Sequence, residues 1–174
     1  MKWKECFTAI LVVMITCMTT ACRLTTNGSE SNNQNADEKA QMEKSTIMSS
    51  IKEQDVQSLI NLLTKQVRES GNIENEVTGF YSSINGTVIS YDDTCGNVQS
   101  GKIRDGQKTE KIVEGTIRDI KTNESGNYMI VFQSYLHLEG EPESEGIYHI
   151  SLYDYDEVNQ KAGALLSQIG LKNE

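Results

Sequence analysis

"IVEGTIRDIKTNESGNYMIVFQSYLHL", residues 112–138, decides how the chain folds. Its first nine residues are rich in β-branched side chains, and "KTNESGN" (121–127) supplies the Asn, Ser and Gly that favour a reversal. "YMIVFQSYLHL" (128–138) then returns as a second strand, so the stretch is predicted to be a β-hairpin. Tyr128, Ile130 and Phe132 alternate with Met129 and Val131, which makes the returning strand apolar on both faces. Two apolar faces suit a central strand covered on each side.

Working outward, "EGEPESEG" (139–146) is a polar tip and "IYHISLYDY" (147–155) a further strand. Upstream, "NGTVISYDD" marks a strand from about Ile84 to Tyr91. The Gly-containing segment "TCGNVQSGKIRDGQKTEK" (94–111) is expected to be a polar connection, and "DEVNQKAGALLSQIG" (156–170) a short terminal helix. The pattern before the sheet is helical. From Asp37 on, Met42, Ile47 and Ile51 fall at amphipathic spacing, "KEQD" breaks the run, and Asp55 is a good N-cap. "VQSLINLLTKQV" sets Val56, Leu59, Ile60, Leu63 and Val67 on one stripe, and "NIENEVTGFYSSI" predicts a third short helix. Helices followed by antiparallel strands indicate an α+β domain, with N-terminal helices packed on a curved, mainly antiparallel four-stranded sheet.

The opening residues read as a targeting segment. Lys2 and Lys4 precede an almost wholly apolar run from Phe7 to Met18, whose twelve residues would make a helix of roughly 18 Å. That suits a signal-peptide core better than a membrane span of ~20 residues. Thr19, Thr20 and Ala21 supply small residues for cleavage, and Cys22 follows at once. A small residue followed by Cys after an apolar core resembles a bacterial lipoprotein signal, which implies a diacylglyceryl group on the Cys22 thiol. Thr19 stands where that signal usually has Leu, Val or Ile, and Cys17 is the weaker site because Thr16 precedes it. Ordinary secretion with cleavage after Ala21 is the alternative. "RLTTNGSESNNQNADE" lacks apolar periodicity and reads as a flexible tether spanning roughly 20 Å. The expected organisation is a signal peptide over 1–21, a polar tether over 22–35 and one α+β domain over 36–174, held on the extracytoplasmic face of the cell membrane.

Charge and cysteine narrow the function. The formal net charge is −9, and loss of Lys2, Lys4 and Glu5 would make it one unit more negative. So acidic a surface argues against nucleic acid, whose phosphates must be neutralised, and against lying face-on to an anionic lipid surface. Beyond Cys22 only Cys95 remains after the leader, so an acylated Cys22 leaves no internal disulfide and the core must stabilise the fold. Cys95 has no basic neighbour in sequence to activate it and reads as a spare thiol.

Three stretches carry a resemblance. "MSSIKEQDVQSLINLLTKQV" resembles the opening helices of cone-shaped domains related to nuclear transport factor 2 and ketosteroid isomerase. "FYSSINGTVISYDD" is similar to their helix-to-strand passage, and "ESEGIYHISLYDYDE" to their last strand. With the lipoprotein-like leader, this resemblance implies a family of small exported bacterial lipoproteins with a cone-like, cystatin-like fold and no assigned function. It transfers no site residue.

The candidate chemistry is thin. His137 and His149 are expected on adjacent strands, and a hairpin centred near Glu143 would set them opposite, with Cβ atoms ~5 Å apart. Tyr91, Asp92, Tyr135, His137, His149 and Tyr153 are the pocket candidates, because cone enzymes use buried carboxylates and tyrosines for proton transfer. Glu139, Glu141, Glu143 and Glu145, and separately Asp154, Asp156 and Glu157, are clustered acids without calcium-loop spacing. No cofactor or metal is implied. The expected function is a non-catalytic binding or accessory module for a small apolar ligand or an envelope protein, with homodimerisation through the open sheet face as a further partner. The alternative is a small isomerase- or dehydratase-like enzyme.

Overall fold

The computed structural model of the chain describes residues 30–140 and 144–170, with the backbone alone for 30–34 and 108. The leader, Cys22, most of the tether, and Glu141 and Glu143 lie outside the described residues.

Helix α1 (Glu30–Glu53) presents buried positions at 36, 40, 43, 44, 47, 48 and 51, one helical stripe. Met42, expected on that stripe, is 59% exposed. Gln54 takes a left-handed φ of 56° and ends the helix, its amide donating back to the Ile51 carbonyl at 2.9 Å. Asp55 then caps α2 (Val56–Leu62), accepting from the Ser58 N–H at 3.1 Å and hydroxyl at 2.6 Å. The apolar stripe of "VQSLINLLTKQV" does not form one helix. Leu63 makes an isolated parallel bridge with Ile147, and the Thr64 N–H donates to the Ile147 carbonyl at 2.9 Å. Thr64 restarts the chain as α3 (Lys65–Arg68), its hydroxyl accepting from the Val67 N–H. α4 (Ile73–Ser82) buries Ile73, Val77, Phe80 and Tyr81, as its spacing predicts.

The sheet has six strands, which corrects the expected four. They are β1 (Val88–Asp92), β2 (Val98–Arg104), β3 (Gln107–Thr122), β4 (Asn127–Leu138), β5 (Gly146–Asp156) and β6 (Lys161–Gly170). The order is β1-β3-β4-β5-β6, with β2 pairing the first half of β3 and β1 the second. All strand pairs are antiparallel, and the domain remains α+β. The supposed polar connection holds β2 and the start of β3, joined through Asp105 and Gly106, both at positive φ. Asp-Gly is a strong hairpin turn, but flanks such as "SGK" and "KTE" carry no apolar alternation to announce strands. The supposed terminal helix is β6. Its Ala, Leu and Gln favour a helix locally, and pairing with β5 along Ile150↔Ile169 and Leu152↔Ser167 overrides that preference.

β4 lies between β3 and β5, the central place its sequence demands. Its burial alternates: Tyr128, Ile130, Phe132 and Ser134 are buried on the inner, helix-facing side. Phe132 faces Gly115 across the β3–β4 pair, and a side chain at 115 would collide with the Phe132 ring. The ring thus lies over the bare glycine, and its full burial contributes about 1.5–3 kcal/mol. The contiguous core joins Ile47, Met48 and Ile51 of α1 to Ile117, Ile130, Phe132, Ile150, Leu152 and Ile169 of the sheet.

The two histidines are not opposed. β5 opens at Gly146, so Tyr135 pairs with Gly146, Gln133 with His149, and Lys111 with His137. An irregularity between Gln133 and Ser134 shifts the register further.

Candidate functional site

The inner stripe of α1 carries its large apolar side chains only in its second half. Glu43 is 2% exposed and Lys44 not exposed at all, although both carry charge in solution. Glu43 falls one turn before Ile47, and Lys44 one turn before Met48, so helix geometry carries both inward. The Ser134 hydroxyl of β4 donates to Glu43 Oε1 at 2.8 Å. Lys39, one turn earlier, holds its Nζ 4.0 Å from the same oxygen and 3.5 Å from the Tyr135 carbonyl. Glu43 Oε2 is buried without a hydrogen-bond partner among the described residues. Burial pushes the Glu43 carboxyl above its ordinary range, and the Ser134 hydrogen bond and Lys39 offset only part of that.

A second face of α1, residues 37, 41 and 44, ties down the connection between β1 and β2. Lys44 Nζ donates to the carbonyls of Asp93 at 3.2 Å and Cys95 at 2.7 Å. Gln41 donates to the Asp93 carboxylate at 3.1 Å, and Asn97 to the Asp37 carboxylate at 3.3 Å. Desolvation draws the Lys44 ammonium below the usual lysine range, against the raising effect of the Cys95, Asp93, Asp37 and Asp92 groups around it. Cys95, which has no basic neighbour in sequence, is thus brought near Lys44 and Arg118 by the fold.

Among the pocket candidates, Asp92 belongs to this network. Its carboxylate accepts from the Thr94 hydroxyl at 2.6 Å, the Thr94 N–H at 2.9 Å and Arg118 Nε at 2.9 Å, which hold it at about 2. Tyr91 lies nearby, with the Lys52 ammonium 4.6 Å from its ring centroid. Tyr135, His149 and Tyr153 lie half-buried on the outer sheet face, opposite Ile130, Phe132 and Ser134, and Tyr135 packs against the core. There the Tyr135 and Tyr148 rings stack at 4.2 Å, the Tyr148 hydroxyl donates to Gln133, and Gln133 donates to Glu114 at 2.9 Å. Burial, helped by Tyr135, Glu110 and Glu114, pushes Tyr148 up to about 12. His149 Nε2 lies 2.7 Å from the Ser151 hydroxyl, and His137 is exposed. The structure therefore ties Asp92 to Thr94 and Arg118, sets Tyr91 against Lys52 of α1, and places Tyr135, His137, His149 and Tyr153 elsewhere on the sheet.

At the far end of α1 a cleft of about 360 Å³ opens between α1, α4 and the approach to β1. Ile51, Ile84 and Val88 give it apolar walls, Lys52, Gln54, Ser82 and Thr87 line it with polar groups, and no Asp, Glu, His or Cys lines it. The Tyr81 hydroxyl at its edge donates to the Asp55 carbonyl at 3.0 Å. Lys52 and Tyr81 are the titratable side chains among its lining residues.

Glu43, Lys44 and Ser134 are the functional candidates that sequence reasoning misses, because charge on an amphipathic helix reads as solvated. For Glu43 and Lys44 the signal was present in their spacing from Ile47, Met48 and Ile51; for Ser134 the sequence carried none. No curated protein matches the chain. The domain of unknown function DUF5104 matches residues 46–157, from the apolar half of α1 through the start of the β5–β6 turn. That match covers well over half of the sequence, and the chain belongs to the DUF5104 family.

Proposed function

We propose that the chain is a lipid-anchored protein of the cell envelope whose folded part acts as a non-catalytic binding or accessory module. The leader, the acylable Cys22 and the polar stretch after it support the anchor, and no helix among the described residues is long and apolar enough to cross a membrane. The likeness to nuclear transport factor 2 and ketosteroid isomerase belongs to this reading, supported by helices lying on one face of an antiparallel sheet. The observation that carries the binding role is the cleft of about 360 Å³ at the end of α1, which sets Ile51, Ile84 and Val88 beside Lys52, Gln54 and Thr87. Recognition is assigned to that cleft and to the outer sheet face around the stacked Tyr135 and Tyr148 rings. The cleft suits a small ligand with an apolar body and a polar end, and the outer face suits an envelope protein or a second copy.

Two experiments test this. Palmitate labelling in the native host should mark the wild type in the membrane fraction and leave Cys22→Ala unlabelled; an unlabelled wild type overturns the anchor. Anilinonaphthalene sulfonate, an apolar body with one anionic end, should bind the wild type at one site and lose that site in Thr87→Trp. A wild type that leaves the dye unbound overturns the cleft.

A second reading, proton-transfer catalysis, is favoured by one observation, the buried Glu43–Ser134 pair. It requires a path for substrate to a carboxyl only 2% exposed. An activity abolished in Glu43→Gln, with the fold unchanged, would support it.

A further inference from the structure

We infer that Glu43 is a proton-controlled latch on the first half of α1: the neutral carboxyl holds residues 36–44 against the sheet, and ionisation loosens them. The geometry carries this. Glu43 sits between α1 and β4 with one oxygen satisfied by Ser134 and the other buried without a partner among the described residues. The groups that act on it are Ser134 from β4 and Lys39 from α1, and the Lys39 ammonium stays 4.0 Å away. An ionised carboxylate there keeps one buried oxygen without a donor among the described residues, a cost that a neutral carboxyl largely escapes. The apolar contacts nearby do not offset it. Ala36 and Ala40 are the buried apolar residues of this half and have little surface to contribute, whereas Ile47, Met48 and Ile51 hold the second half. The hinge therefore falls between Lys44 and Ile47, and the sheet keeps its own core when the first half opens.

The sign of the effect follows from linkage. A carboxyl held above its ordinary value of 4.5 in the docked helix binds its proton more tightly there than in the opened helix. Docking is strongest below 4.5 and weakens as the pH rises to the docked value, then stays constant. Over that window each opening releases one proton, so the open population rises by up to tenfold per pH unit. Lys44 Nζ is turned to the Asp93 and Cys95 carbonyls rather than to Glu43. His137 is exposed and His149 lies on the opposite sheet face.

Hydrogen exchange on the full chain, corrected for the intrinsic pH dependence of amide exchange, tests the latch. Protection over 36–44 should fall with rising pH, by up to tenfold per unit from 4.5 upward, while amides of 130–134 and 147–152 keep theirs. Glu43→Gln should flatten the profile over 36–44. Ser134→Ala removes a donor that favours the ionised form and should extend the falling region to higher pH. A flat wild-type profile, a slope surviving in Glu43→Gln, an unmoved profile in Ser134→Ala, or parallel loss of protection in β4 and β5 each overturns the proposal.

Discussion

Between Ile47 and Ile51, α1 buries Ile47, Met48 and Ile51 with one small polar residue, Ser50; between Ala36 and Lys44 it buries two alanines, a glutamate and a lysine. Both halves are equally hidden from water, yet different forces hold them. The second half gains from apolar area, which needs no particular geometry and is insensitive to pH. The first half depends on named hydrogen bonds from Lys44, Gln41 and Ser134, each of which must recover the cost of desolvating its partner. Equal burial therefore does not mean equal stability, and the polar half is the one placed to respond to a signal.

Substitutions should separate the halves in magnitude. In the apolar half, Met48→Ala should cost about 2–5 kcal/mol in urea unfolding, because a fully buried side chain leaves a cavity behind. In the polar half, Lys44→Met keeps the stem and strands the Asp93 and Cys95 carbonyls; the expected loss is about 1–3 kcal/mol, with exchange protection falling over 92–97. Should Lys44→Met prove as costly as Met48→Ala, the contrast between the halves is broken.

The next two predictions sharpen it through pH. Glu43→Gln should match or exceed the wild-type urea midpoint once the pH is high enough to ionise the docked carboxyl, and the wild type should gain on the variant as the pH falls through that raised value to 4.5. Asp92 works in the opposite direction. Its folded value is depressed to about 2, so its contribution is present above the ordinary 3.8 and lost as pH falls toward 2. The Arg118 partner is 39% exposed and screened by water, which limits the loss in Asp92→Asn to about 1 kcal/mol or less. The smallest effect belongs to the ribbon of β2, where Ile103 is 69% exposed; Ile103→Lys should stay within about 0.5 kcal/mol of wild type.

What was legible in the sequence follows the same division. Residues 128–138 announce a central strand because every position from Tyr128 to Phe132 is apolar, the inner three buried and Met129 and Val131 half-buried. The helix pattern of 73–82 and the Asp55 cap are legible for equally local reasons. β2 and β6 are not, because they are edge strands whose solvent-facing residues record little burial; they exist through pairing with β3 and β5. The histidine register failed on Gly146, whose place at the start of β5 is set by contact with the backbone at Leu62–Thr64 rather than by the tip. Asp92 was legible as a candidate from its type and neighbourhood. Glu43 was hidden by the habit of reading charge as exposure, and its spacing of four residues from Ile47 and eight from Ile51 is the clue that outweighs that habit.

Titrating the side-chain carboxyl carbon of Glu43 by NMR in the full chain tests the buried-carboxyl account most directly. The expected midpoint lies above 4.5 and moves higher in Ser134→Ala. A midpoint at or below 4.5, unmoved by that substitution, would mean that Glu43 is solvated and that the two halves of α1 are held alike.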